Sequence, residues 1–181
     1  MHPGRVLAAI AAVLTLLPIQ HAVIARIPLP GTGPDVLIVL VVAVALLRGP
    51  AVGAVMGFCT GLAADLAPPA DHTMGRLALC YCVAGYLAGL LADEAERSAL
   101  APMAVVAIIA VFVIGTYAAL GALLGDARVT AATLARTLPS SVLYDVVLTP
   151  FLVPLVAAVV RRLEPDSSRS VVRGAGPGVR L

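Results

Sequence analysis

This chain of 181 residues contains no lysine and no tryptophan, and only 12% of its residues are charged. All twelve basic residues are therefore arginine. Without lysine, the chain lacks the phosphate-binding lysine of a P-loop. The net charge of +2 is small, and no basic patch with interleaved aromatic residues occurs, so we expect no nucleic-acid binding.

Aromatic residues and cysteines are also scarce. Four Tyr and three Phe leave little material for the usual aromatic belt of a membrane protein. The three cysteines, Cys59, Cys80 and Cys82, lie inside apolar segments. Cys80 and Cys82 would point about 200° apart on a helix, which suits neither a disulfide nor a metal site. We interpret all three as small packing residues and predict neither a metal site nor a cofactor.

The sequence lacks the residue patterns of common enzymes. A catalytic site needs a nucleophile with its base, or a cluster of metal ligands. Neither a G-x-S-x-G elbow nor an H-E-x-x-H helix is present. We therefore predict that the protein is not an enzyme and assign no catalytic residues.

Apolar residues dominate what is present. They make up 61% of the chain, and several apolar runs approach the roughly 20 residues that a membrane-spanning helix needs. We predict an all-α polytopic membrane protein with one transmembrane domain over residues 1–162 and a disordered cytoplasmic tail over residues 163–181. The six predicted helices cover about 6–25, 34–47, 50–67, 77–92, 101–125 and 140–160.

The second predicted helix is short. Its 14 residues span about 21 Å, less than the roughly 30 Å of a hydrocarbon core. It is therefore a short helix, a helix surrounded by protein, or one arm of a re-entrant hairpin with the helix that follows Arg48-Gly49-Pro50. The sequence leaves these three alternatives open.

The stretch Pro50 to Ala67 carries a glycine at every fourth position. Gly53, Gly57 and Gly61 share one helix face, and Asp65 extends that face by one more turn. Such spacing lets a second helix approach closely. Gly85 and Gly89 form a second small-residue face in the next helix. The groove is predicted to receive either another helix of this chain or the helix of a partner.

Arginine counting predicts the orientation. Six crossings place both termini on one side, and the positive-inside rule selects the cytoplasm. The predicted inner side carries Arg5, Arg48, Arg97, Arg161, Arg162, Arg169, Arg173 and Arg180. The predicted outer side carries Arg26, Arg76, Arg128 and Arg136.

This orientation places Asp35, Asp65 and Asp145 in the same outer leaflet, with Arg76 at a similar level. We interpret these four residues as polar anchors whose pairing holds helices together, because charges at membrane depth need partners. Two other interpretations stay open at this point. The outer face could dock a partner, or it could form an ion or proton site in which Asp145 lies deepest.

Several of these features, in this order, resemble the MreD family of rod shape-determining membrane proteins. The resemblance covers about residues 34–162. It consists of Pro34-Asp35 before a short apolar helix, Gly57 and Gly61 followed by Asp65-Leu66, then Gly75, Tyr86, Ser140-Ser141, Asp145, Pro150 and the Arg161-Arg162 pair. The chain departs from the family at Asp145, where some members have asparagine, and in its arginine-bearing tail.

The resemblance implies a non-enzymatic scaffold of the bacterial cell-elongation machinery in the inner membrane. Its implied partners are an MreC-like single-span protein and, directly or indirectly, MreB, a SEDS glycosyltransferase and a class B penicillin-binding protein, which act in peptidoglycan synthesis. The implied helix arrangement is similar to that of the substrate-binding subunits of energy-coupling-factor transporters. A small-molecule-binding membrane subunit of a transporter is therefore the alternative function.

Overall fold

The computed structural model describes Val13, residues 15–18, Gln20 and the ranges 33–67, 74–125 and 131–162. In this part of the chain every regular element is a helix and no strand occurs, which confirms the predicted all-α class. Most of the predicted first helix and the predicted tail, residues 163–181, lie outside the described residues. The helices are α1 Val36–Arg48, α2 Pro50–Leu66, α3 Arg76–Leu90, α4 Ala92–Ala95, α5 Ala101–Leu123 and α6 Ala131–Arg162.

Two helices are long and apolar enough to cross a membrane, judged by length and composition. They are α5, with 23 residues, and the part of α6 from Leu134 to Arg162, with 29 residues. The apolar helices α1, α2 and α3 are shorter, at 13, 17 and 15 residues. These lengths establish two candidate spans, and a total of six spans stays a prediction.

The last helix begins earlier than the sequence predicts. It starts at Ala131 and not near residue 140, so residues 131–139, which lie outside the six predicted helices, belong to α6. The helix continues through Pro139. The Ser140 hydroxyl donates to the carbonyl of Thr137 at 2.9 Å. A side chain thus supplies a hydrogen-bond donor close to Pro139, whose backbone nitrogen carries no hydrogen.

Helix α1 lies at the centre of the fold. It packs against α2, α3, α5 and α6, and nine of its 13 residues are buried. Val39, Val41 and Val42 are 0% exposed. A helix that is apolar on every face is stable when protein covers all of it. The structure therefore shows a short helix that is largely surrounded by protein, and its membership of a re-entrant hairpin stays a prediction.

Candidate functional site

The glycine face of α2 is filled by α3. A Cβ atom on Gly57 would collide with the carbonyl group of Tyr81, and one on Gly53 would collide with the carbonyl oxygen of Gly85. A Cβ on Gly61 would lie 2.5 Å from the carbonyl oxygen of Leu77. The two backbones are thus in direct contact at three positions that follow one another at intervals of about one turn.

The contact is reciprocal. A Cβ on Gly85 would collide with the backbone of Gly53, and one on Gly89 would collide with the backbone of Pro50. The two small-residue faces that the sequence predicts therefore meet each other. In this structure neither face is open to the helix of a partner.

Asp65, near the C-terminal end of α2, closes one end of this seam by capping α3. Its carboxylate accepts hydrogen bonds from the backbone N–H groups of Gly75 at 3.0 Å, Leu77 at 3.3 Å and Ala78 at 3.1 Å. The first turn of a helix leaves such donors without partners and carries partial positive charge. A carboxylate that is 0% exposed is therefore paired with backbone amides of the neighbouring helix.

Gly75 gives the chain the conformation that this cap requires. Its φ of 88° lies in the left-handed region, where a side chain is strained. The turn places the N–H of Gly75 and the start of α3 over the carboxylate of Asp65. The sequence signal for this site is the glycine immediately before Arg76.

Arg76 connects the same end of α3 to α5. Its Nε and Nη2 atoms donate to the carbonyl oxygen of Tyr117 at 3.0 and 2.6 Å, and its Cζ atom lies 3.5 Å from the centre of the Tyr117 ring. Forked donation together with a cation–π contact suits a guanidinium that is only 5% exposed. Arg76 is also flanked by Gly75 and Leu77, which both bind Asp65. Asp65 and Arg76 therefore anchor the start of α3 to two different helices.

Asp35 and Asp145 meet at the start of α1. The backbone N–H of Asp35 donates to Oδ1 of Asp145 at 2.7 Å, although 110 residues separate them. The Asp35 carboxylate caps α1 by accepting from the N–H of Ile38 at 3.3 Å, and it also accepts a hydrogen bond from the Tyr81 hydroxyl. Helices α1, α3 and α6 are thus held together by polar groups from each.

Gln20 completes the polar environment of this helix start. Its side-chain Nε2 donates to the carbonyl of Pro34 at 2.8 Å, and its Oε1 accepts from the N–H of Val36 at 3.1 Å. Both ends of the amide are therefore used by the backbone. The N-terminal segment is joined to α1 at this point.

A cavity of about 190 Å³ lies next to Asp35 and Asp145. Its polar lining includes Gln20 and Ser141 in addition to the two carboxylates, and its apolar lining includes Ile38 and Val113. Asp145 is 1% exposed and Ser141 is 7% exposed. A small and partly polar volume thus opens where α1, α5 and α6 meet.

The predicted anchors form two neighbouring sites. Asp35 and Asp145 lie together, whereas Asp65 binds the first turn of α3, about one turn before Tyr81. The sequence interpretation missed the roles of Gln20, Tyr81 and Ser141. Polar atoms inside apolar segments were the signal that could have identified them.

All three cysteines lie within the described residues. Cys59, Cys80 and Cys82 are free thiols, and Cys80 is buried. Within the ranges that the structure covers, no group of three or more His, Cys, Asp and Glu residues is placed to hold a metal ion.

The chain matches no known protein family, no curated protein and no solved structure in the comparisons.

Replacing Tyr81 with Phe is expected to destabilise the protein by about 1–2 kcal/mol, because the half-buried Asp35 carboxylate loses a hydrogen-bond donor. Thermal melting in detergent, followed by circular dichroism, measures this loss. Tyr86→Phe is the matched control on the same helix, since the Tyr86 side chain is 47% exposed. Equal melting temperatures for the two variants would contradict a role of the Tyr81 hydroxyl in holding α3 to α1.

Proposed function

We propose that this chain is a non-enzymatic scaffold of the bacterial cell-elongation machinery. In this proposal it is a six-pass protein of the inner membrane with both termini in the cytoplasm. It binds an MreC-like single-span protein and, through it or directly, the MreB, SEDS glycosyltransferase and penicillin-binding components that build peptidoglycan. The protein contributes binding surfaces and no catalytic group.

One observation carries the proposal. The residues of the family resemblance are spread over more than half of the chain, yet they converge in space. Asp35 binds Asp145, and Asp65 binds Gly75 after the Gly57 and Gly61 contacts have brought α2 against α3. Residues that close one fold together are more specific than isolated small-residue motifs, and this supports the resemblance.

The proposed partner contacts an outward face, because the glycine seam is already filled. Several of the described helices expose large apolar side chains. On α6 these side chains recur at every fourth position, at Leu143, Val147, Phe151, Leu155 and Val159. Apart from these, α2 exposes Phe58 at 47% on its outward side. A spanning helix can pack on such a face by van der Waals contact.

Photo-crosslinking in native membranes tests the proposal. A photoreactive residue is placed singly at Phe151 on α6 and at Phe58 on α2, and crosslinked proteins are purified and identified. The expected result is a crosslink to a protein with one span and a large extracytoplasmic domain from one face, with the other position serving as the control. Failure to recover such a protein from either position or by co-purification of the unmodified chain would count against the scaffold.

A second candidate function is the small-molecule-binding membrane subunit of a transporter. The observation that favours it is the cavity of about 190 Å³ bounded by Asp35, Ser141 and Asp145. Pockets with a few convergent polar groups on an apolar wall are typical of small-molecule sites. Neighbouring genes separate the two functions: a coding sequence with one span and a coiled coil supports elongation, whereas one for an ATPase supports transport.

A further inference from the structure

The cavity between α1, α5 and α6 has two hydrogen-bonding groups that the described part of the chain does not use. The Ser141 hydroxyl makes no hydrogen bond there although Ser141 is only 7% exposed. Asp145, which is 1% exposed, accepts through Oδ1, and its Oδ2 atom receives no hydrogen bond from a described residue. Both residues line the cavity, so a molecule bound there can form hydrogen bonds with these two groups.

The charges of the residues that line the cavity determine whether a cation or an anion is favoured there. Asp35 and Asp145 both border the cavity, and no basic residue of the described chain lines it. The nearest partial positive charge is the start of α1, whose amides are already bound by Asp35 and Gln20. A cationic ligand is favoured because a buried carboxylate gains most from a charged donor.

The shape and chemistry of the walls exclude a bare metal ion as the best fit. Calcium takes six to eight oxygen ligands and magnesium demands an octahedral set. This cavity offers two carboxylates, one hydroxyl and the Gln20 amide, whose oxygen already accepts from the backbone, beside apolar side chains. Ile38, Val113 and Ile114 supply the apolar wall. The volume is slightly larger than the about 150 Å³ that accommodates benzene in an apolar protein cavity. A ligand with one charged end and a short hydrocarbon body uses both kinds of wall.

We propose that this cavity binds a small primary amine as its ammonium ion. The ammonium donates to Oδ2 of Asp145 and to the hydroxyl oxygen of Ser141, and the hydrocarbon part contacts Ile38, Val113 and Ile114. This inference rests on the second candidate function and names its class of ligand. It is independent of the scaffold proposal.

Isothermal titration of the purified full-length chain with cyclohexylamine tests the inference. Cyclohexanol, which has the same shape and no charge, and ammonium chloride, which has charge and no hydrocarbon, are the ligand controls. We expect saturable binding of cyclohexylamine that is at least about tenfold tighter than that of either control, since a hydrogen bond to a charged group is worth about 1.5–3 kcal/mol.

Two variants locate the binding. Ser141→Ala should weaken cyclohexylamine binding about tenfold or more, because a hydrogen bond from the charged ammonium is lost, and Asp145→Asn should also weaken it by about tenfold or more. Ser140→Ala is the matched control, because the neighbouring hydroxyl is bound to Thr137 on the same helix. Asp145 also binds Asp35, so Ser141→Ala decides the test if the Asp145 variant does not fold.

The outcomes separate the inference from the function on which it rests. Equal affinity for cyclohexanol and cyclohexylamine, reduced in Ser141→Ala, would overturn the amine while retaining a small-molecule site. Binding of the amine that both cavity variants leave unchanged would place it elsewhere and overturn the inference. Absence of binding by either cyclic compound would also overturn it, whereas co-purification of an ATPase would still support transport.

Discussion

Replacing Gly57 with alanine is expected to lower the stability of the protein by about 3 kcal/mol or more, at the upper end of the cost of overpacking. The added methyl group collides with the carbonyl group of Tyr81, and a helix backbone cannot move aside as a flexible side chain can. The two helices must then separate along the seam. A decrease of about 10 °C in the apparent melting temperature corresponds to such a loss in a chain of this size.

Gly115→Ala is the matched control for this experiment. Gly115 also lies inside a helix, but a Cβ atom there meets no atom within 4 Å. Because alanine favours the helix over glycine, this variant is expected to be neutral or stabilised by up to about 1 kcal/mol. If Gly57→Ala and Gly115→Ala have the same melting temperature, then α2 and α3 are not in backbone contact at Gly57.

The seam changes the interpretation of a larger substitution at the same position. If the glycine face received a partner, Gly57→Leu would abolish partner binding and leave a folded monomer. With α3 already in the groove, Gly57→Leu is expected to disrupt the monomer itself. If Gly57→Leu no longer binds a partner, a melting curve is therefore needed to show whether the variant is still folded.

Asp65→Ala is expected to cost about 3–5 kcal/mol. The substitution leaves the backbone N–H groups of Gly75, Leu77 and Ala78 without their acceptor, and each buried donor without a partner costs about 1–3 kcal/mol. The removal of a buried carboxylate recovers part of its desolvation cost. The expected loss of stability is therefore smaller than the largest total that the three unpaired donors would give. Thermal melting in detergent measures the loss.

Two further variants show whether the cap is responsible. Asp65→Asn keeps one acceptor oxygen and loses the charge, so its stability should fall between those of the wild type and Asp65→Ala. Asp93→Ala removes an exposed carboxylate from the first turn of α4 and should change stability by less than about 0.5 kcal/mol. A loss in Asp65→Ala no larger than in Asp93→Ala would rule out the cap as a source of stability.

Local pattern was sufficient for the two glycine faces because the groove consists of the backbone. Gly53, Gly57 and Gly61 specify a helix face by spacing alone, and so do Gly85 and Gly89. The absence of side chains on both faces made each a candidate partner for the other. Which of the possible helices would fill the groove could not be read from spacing, since a partner helix meets the same requirement.

The polar contacts were harder to predict because they depend on positions far apart in the chain. Asp65 was predicted as an anchor with Arg76 in reach, but the backbone N–H groups that donate to it, at Gly75 and Ala78, have no side-chain signature. Asp35 and Asp145 were placed in one leaflet by counting arginines, whereas their direct hydrogen bond depends on how α6 packs against α1. Gln20 and Tyr81 join them only after the bundle has closed.

Composition and the four-residue spacing of glycine by themselves determined that this chain is helical, that it is apolar enough for a membrane, and that two of its helix faces are made for close contact. These are local properties of hydrogen bonding and side-chain volume. Only the tertiary structure decided that α3 fills the α2 groove, that nine of the 13 residues of α1 are buried, and that Asp35, Ser141 and Asp145 border one cavity. The physical reason is that these features arise from contacts between distant segments, whose free energy depends on the packing of the whole bundle.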